Sequence, residues 1–249
     1  MQPKPSNINR PWPRKPLLRV KAVEVGRHIG RAREKFGDRL LTWLTVLLVF
    51  LTFGVVPLHA SGLVVFEGYA LAIVLVMAGC VLGASAGPGA ISAILTGVAL
   101  AVGGSAARFM GHQEHGLYLD AAAWVTVAAA LAYVVARAVF APGQVTYHRV
   151  IGAVLLYITI GNVFVGLYGM MCLLVPGAIT GIDTPGNPKF TSDLIYFSFS
   201  TLTTLGYGDI VPVHPVVRSL SSLEAIFGQI FPATLLARLV TLELESRRR

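Results

Sequence analysis

The sequence predicts an all-α integral membrane protein. Six transmembrane helices are expected, with a shorter re-entrant helix and an irregular glycine-rich segment between the last two. Three observations carry this. Of the 249 residues, 55% are hydrophobic and only 13% charged, where a soluble domain carries about 25% charged residues. Charges are absent between Arg39 and Glu67, Glu67 and Arg108, Asp120 and Arg137, and Arg149 and Asp183, and about 20 apolar residues cross a bilayer core as a helix. The net charge of +8 is concentrated before the first apolar run, where residues 1–39 hold eleven Lys and Arg against Glu24, Glu34 and Asp38. Basic residues preceding a first span hold that end in the cytoplasm.

The basic segment 1–39 is too long and too charged for the leading part of a cleaved signal peptide. Leu18, Ala22, Val25, Ile29, Ala32, Phe36 and Leu40 fall on one helical stripe. Arg27, Arg31, Arg33, Lys35 and Arg39 lie mostly off it. Three states fit this pattern: an interfacial helix whose basic residues contact anionic lipid headgroups, a bundle joining several copies of the chain, and a disordered tail. Gly26 and Gly30 weaken either helical form.

A peripheral domain, 40–140, follows with four expected spans at roughly 40–58, 63–82, 89–107 and 119–140. They are separated by Pro57-Leu58-His59, by the glycine-rich stretch 83–89 and by the polar loop Arg108–His115, and Pro142-Gly143 closes the last. The uncharged run 68–107 also fits a re-entrant segment in place of two helices. Gly97, Ala101, Gly103 and Gly104 give the third span small residues that let helix backbones approach. Spans at 150–175 and 214–240 frame a second domain, 150–242, and a short basic tail, 243–249, ends the chain. Six spans place both termini in the cytoplasm. Seventeen basic residues then lie inside, and only Arg108, Lys189 and Arg218 outside, as the positive-inside rule requires. A multi-pass protein of the cell membrane is expected, and the excess of Arg over Lys with abundant Ala and Gly points to a bacterial gene.

Between the last two spans, 176–213 opens with a loop rich in Pro and Gly and continues as FTSDLIYFSFSTLTT. Thr191 or Ser192 is the expected N-cap of a helix of about three turns. It is too short to cross the membrane, and Leu205-Gly206-Tyr207-Gly208-Asp209 follows at once. Irregular backbone at membrane depth is tolerated only where it is buried in protein or lines a water-filled path.

The stretch TLTTLGYGD, 201–209, resembles the signature of potassium channels of the pore-loop superfamily. Thr204 to Gly208 matches the filter sequence TVGYG with Leu205 in the Val position. The resemblance covers about 150–242, an outer helix, pore loop and inner helix. It implies that K+ binds the backbone carbonyls of Thr204, Leu205, Gly206 and Tyr207 and the hydroxyl of Thr204. Gly206 and Gly208 would tolerate the dihedrals this needs, and Leu205 and Tyr207 would wedge the strand against the pore helix. Thr203 and Asp209 are the expected supports of the filter. Tyr196, Phe197 and Phe199 stand where family members often carry tryptophans, which bears on filter rigidity. One filter per chain cannot enclose an ion, so the resemblance implies a C4 homotetramer. K+ is the expected permeant ion, with no organic cofactor and no nucleic-acid partner.

In the last span, Gly228 and Pro232 form an expected bend, since Pro removes a helix hydrogen bond, and simple packing is the competing explanation. Glu224, an ionisable residue in an apolar helix, is expected to be paired behind the filter. Residues 121–136 hold no Arg or Lys, whereas a voltage sensor needs several. Cys80 and Cys172 are core residues, and His112-Gln113-Glu114-His115 lacks the spacing of a zinc-protease motif. No nucleophile, phosphate-loop or redox motif is present, so no enzyme is expected. The expected function is a K+-selective channel that a charged fourth helix does not gate. The alternatives are a non-selective cation channel, a K+ transporter subunit and a non-conducting membrane sensor.

Overall fold

A computed structural model of the chain describes residues 42–43, 45–63, 69–83, 88–140 and 147–247, all within one compact unit, Asp38–Arg249. The stripe of the N-terminal segment and the basic residues Arg27, Arg31, Arg33, Lys35 and Arg39 lie outside the described residues.

The unit is helical. Helix α1 (Thr45–Ala60) contains one π-helical turn at Leu51–Val55. Pro57, which has no N–H to donate to residue 53, follows that wider turn and so occupies a first-turn position where no donor is needed. Then come α2 (Tyr69–Gly83), α3 (Pro88–Phe109), α4 (Gln113–Val139), α5 (Tyr147–Leu174), α6 (Pro188–Leu202) and α7 (Pro215–Arg247). Among the described residues, four helices are long and apolar enough to cross a membrane: α3, α4, α5 over Val150–Leu174 and α7 over Pro215–Arg238. The first two expected spans coincide with shorter apolar helices, α1 and the stretch Leu71–Val81 within α2. At 1.5 Å per residue, the 15 residues of α2 reach about 22 Å.

Helix α4 is central. It begins at Gln113, earlier than the expected 119, and Asp120 inside it is paired with Arg108 in the last turn of α3. The α3–α4 hairpin is close: a Cβ at Gly97 would strike Val127, and one at Gly104 would strike Asp120. Ala101 is buried between them. On the other side, Gly166 of α5 admits Trp124 and Val125, and the Trp124 indole N–H donates to the Asn162 carbonyl at 2.9 Å. From α7, Arg238 donates to the carbonyls of Val139 and Phe140 at 3.0 and 3.1 Å. A cation there complements the C-terminus of α4.

Helix α6 is cradled by α1, α5 and α7. Phe199 meets Phe53 edge-on at 4.7 Å, and the missing side chain of Gly161 makes room for its ring. The sequence predicts irregular loops on either side of α6 and its following segment. The structure adds two short strands, β1 (Ile179–Thr180) and β2 (Val211–Pro212), paired antiparallel with Ile179 opposite Pro212. They clip the chain before α6 to the chain after residue 209.

Candidate functional site

The site is built on α6. Its N-cap is Asn187, whose side chain accepts from the Lys189 N–H at 2.9 Å, with Pro188 in the first turn. This corrects the expected caps: Thr191 and Ser192 lie inside the helix, because Pro188 already supplies a favourable first-turn φ. Asp193 accepts from the Asp183 N–H at 3.0 Å and ties the preceding loop to the helix. The helix ends at Leu202, and Thr203 is its C-cap, with N–H and hydroxyl both donating to the Phe199 carbonyl.

Beyond Thr203 the backbone alternates. Thr204, Gly206 and Gly208 have φ of 57°, 55° and 84°, so every second residue is left-handed. The N–H of Thr204 donates to Thr201 O at 2.9 Å and that of Leu205 to Ser200 O at 2.8 Å. The Gly206 N–H reaches the Ser200 hydroxyl at 3.1 Å. Every peptide here is trans, so each carbonyl opposes the next N–H. With those N–H groups turned back onto the end of α6, the carbonyls of Thr203, Thr204 and Leu205 point away from it. The C-terminal end of α6, with its partial negative charge, abuts the same segment.

Side chains brace this strip. Tyr207 stacks on Tyr196 of α6 with ring centroids 6.0 Å apart, and the Tyr196 hydroxyl donates to Asp209 at 2.9 Å. Leu205 and Tyr207 are nevertheless 58% and 68% exposed in the single chain. A Cβ on Gly181 would strike the Asp209 carbonyl, so only glycine lets the β1 end approach the strip. That glycine has φ 85°, which a side chain would also disfavour.

Behind the strip lies a buried polar cluster. Glu224 is fully buried and hydrogen-bonded to Tyr168 Oη at 2.6 Å and Ser198 Oγ at 2.5 Å. Ser198 Oγ also lies 2.9 Å from the Gly161 carbonyl. One turn further along α7, a Cβ on Gly228 would strike the Leu202 carbonyl, so α7 touches the end of α6 there. Helix α7 continues unbroken past Pro232. Gln229, the next residue, donates to the Thr204 hydroxyl at 2.9 Å. Thus Thr203 to Asp209, Glu224 and Gly228 share one locality, and Pro232 lies a turn beyond. The sequence alone does not single out Tyr168, Ser198, Ser200 and Gln229. The available signal was their polarity within apolar stretches.

Among the described residues no cluster of His, Cys, Asp or Glu is arranged to hold a metal. Residues 163–244 match the protein family described as ion channel. The Arabidopsis thaliana protein named two-pore potassium channel 1 is 36% identical over 91 residues, covering 36% of this chain and 22% of that protein. The chain therefore spans about a fifth of the length of the curated relative it matches. No solved structure shows significant similarity.

Proposed function

We propose that this chain, whose residues 163–244 match the family described as ion channel, is a pore-loop potassium channel that conducts K+ passively across a membrane as a C4 homotetramer. The observation that carries the reading is the alternating left-handed backbone at Thr204, Gly206 and Gly208, with the flanking N–H groups tied to Ser200 and Thr201. A cation leaving water needs replacement oxygens. Carbonyls turned away from α6 supply them, together with the Thr204 hydroxyl as the innermost ligand. The dipole of α6 adds attraction for the cation. One such strip faces an ion from one side only, and four around an axis enclose it. The exposure of Leu205 and Tyr207 in the single chain supports that assembly. In this reading α6 is the re-entrant pore helix, α5 and α7 are the outer and inner helices, and Asp209, Thr203 and Glu224 support the filter.

The test is flux in liposomes. Purified protein is expected to pass K+ and Rb+ well and Na+ poorly, with block by Ba2+. Gly206→Ala is expected to abolish flux while tetramers still form. A Cβ at Gly206 meets nothing within 4 Å, so the effect arises from φ 55°, which costs an L-residue about 1–2 kcal/mol in each subunit. Equal Na+ and K+ fluxes through the unmutated protein would overturn K+ selectivity in favour of a general cation pathway.

A further inference from the structure

Thr204 is, among the described residues, the one non-glycine with positive φ, and a β-branched side chain is strongly disfavoured there. Something must therefore hold it. Its N–H is bonded to Thr201 O. Its hydroxyl donates to the Thr203 carbonyl at 2.7 Å and accepts from Gln229 Nε2 at 2.9 Å.

A threonine hydroxyl has one hydrogen and two lone pairs. Here the hydrogen is committed to Thr203 O, and one lone pair takes the Gln229 N–H. One lone pair is left, and its direction is fixed by the other two bonds. Gln229 can act in this way because its own backbone is anchored: Gly228 is buried against the Leu202 carbonyl at the end of α6. The distance from α7 to Thr204 is therefore set by backbone contact, and the amide reaches across it. Thr204 and Gln229 are both exposed in the single chain, on the side that the channel reading assigns to the inner mouth.

We propose that Gln229 is a positioning residue for the innermost cation site, holding the free lone pair of the Thr204 hydroxyl in one direction. This rests on the channel reading above. Four Gln229 side chains would form a ring of amides beneath the filter. Without the amide donor, only the bond to Thr203 O holds the hydroxyl, its second lone pair is no longer taken, and the innermost site loses its preorganised oxygen. The first effect falls on a cation that depends on every oxygen of that site. Ba2+ is such a probe, since it is close to K+ in size and carries twice the charge.

The experiment is a mutant cycle read by Ba2+ block of K+ flux and by the K+ to Na+ flux ratio. Gln229→Met keeps the length of the side chain and removes the donor. It is expected to weaken Ba2+ block about tenfold, the effect of losing roughly one hydrogen bond. In a Thr204→Ala background, Gln229→Met is expected to change block no further, because the hydroxyl it acts through is gone. Calorimetric Ba2+ binding to the purified tetramer gives the same cycle if Thr204→Ala conducts weakly. Block unchanged by Gln229→Met, or weakened equally with and without the Thr204 hydroxyl, overturns the inference. Wild-type K+ flux tests the channel reading separately, so K+ flux with unmoved Ba2+ block refutes the role of Gln229 alone.

Discussion

Glu224 lies where α5, α6 and α7 meet, and counting hydrogens defines what it does there. The contacts Tyr168–Glu224, Ser198–Glu224 and Ser198–Gly161 need three hydrogens, and the two hydroxyls bring two. A side chain at 224 that can itself donate completes the set, as a carboxyl O–H or an amide N–H does. Glu224→Gln is therefore expected to leave stability and K+ flux near wild type. Glu224→Ala leaves the Tyr168 hydroxyl unpaired beside a cavity, at about 1–3 kcal/mol, while Ser198 keeps the Gly161 carbonyl. It is expected to lower the melting temperature of the detergent-solubilised protein and to reduce flux. An alanine variant as stable and active as wild type would show that the cluster is dispensable. In the sequence, Glu224 is legible as a lone carboxylate in an apolar helix. Its partners are not, because they lie 56 and 26 residues away, and only the packing of three helices brings them together.

Among the elements, legibility follows hydrophobic length and charge. Helices α3, α4, α5 and α7 were readable because each combines a long apolar run with few charges. Helix α4 starts before the expected 119 because the polar residues of Arg108–His115 look like a loop, although Gln113 to His115 form its first turn. The expected cap of α6 differs from the observed one because Thr191 and Ser192 are good caps in isolation, while Asn187, followed by Pro188, does the same four residues before Thr191. The two-residue strands carry no sequence signal at all, since their pairing joins segments on either side of α6. Helix α7 shows how one residue admits two explanations. Gly228 with Pro232 reads as a bend, yet the structure gives Gly228 a packing reason, the carbonyl of Leu202. Gly228→Ala forces α7 away from the end of α6, an overpacking change of about 1–3 kcal/mol. The expected outcome is a protein with a lower melting temperature and altered Ba2+ block, because Gln229 moves with the backbone. A pure hinge predicts changed opening with stability and block untouched, so the two measurements together separate the explanations.

For the whole molecule, the question is what the helices preceding α5 contribute. Around α6 they act as packing: Phe53 of α1 lies against Phe199, and Trp124 of α4 is bonded to α5. Charge movement is a poor candidate for their role. Residues 121–136 of α4 carry no charge, and Arg137 at its end hydrogen-bonds the Tyr133 hydroxyl at 3.4 Å and lies 5.8 Å from its ring, which suits an interfacial anchor. One elementary charge crossing the full field is worth about 2.3 kcal/mol per 100 mV, so a steep response needs several charges per subunit. Beyond Glu114 and Asp120 this chain offers one in that helix, Arg137, and that one at its edge. Conductance is therefore expected to vary shallowly with voltage in symmetrical K+, and Arg137→Gln should leave the slope unchanged. Recordings from reconstituted protein decide the matter. A steep sigmoidal relation that persists in Arg137→Gln and without blocking ions would show that charge moves through another element. The charge-free run in α4 would then be no guide to how this molecule opens.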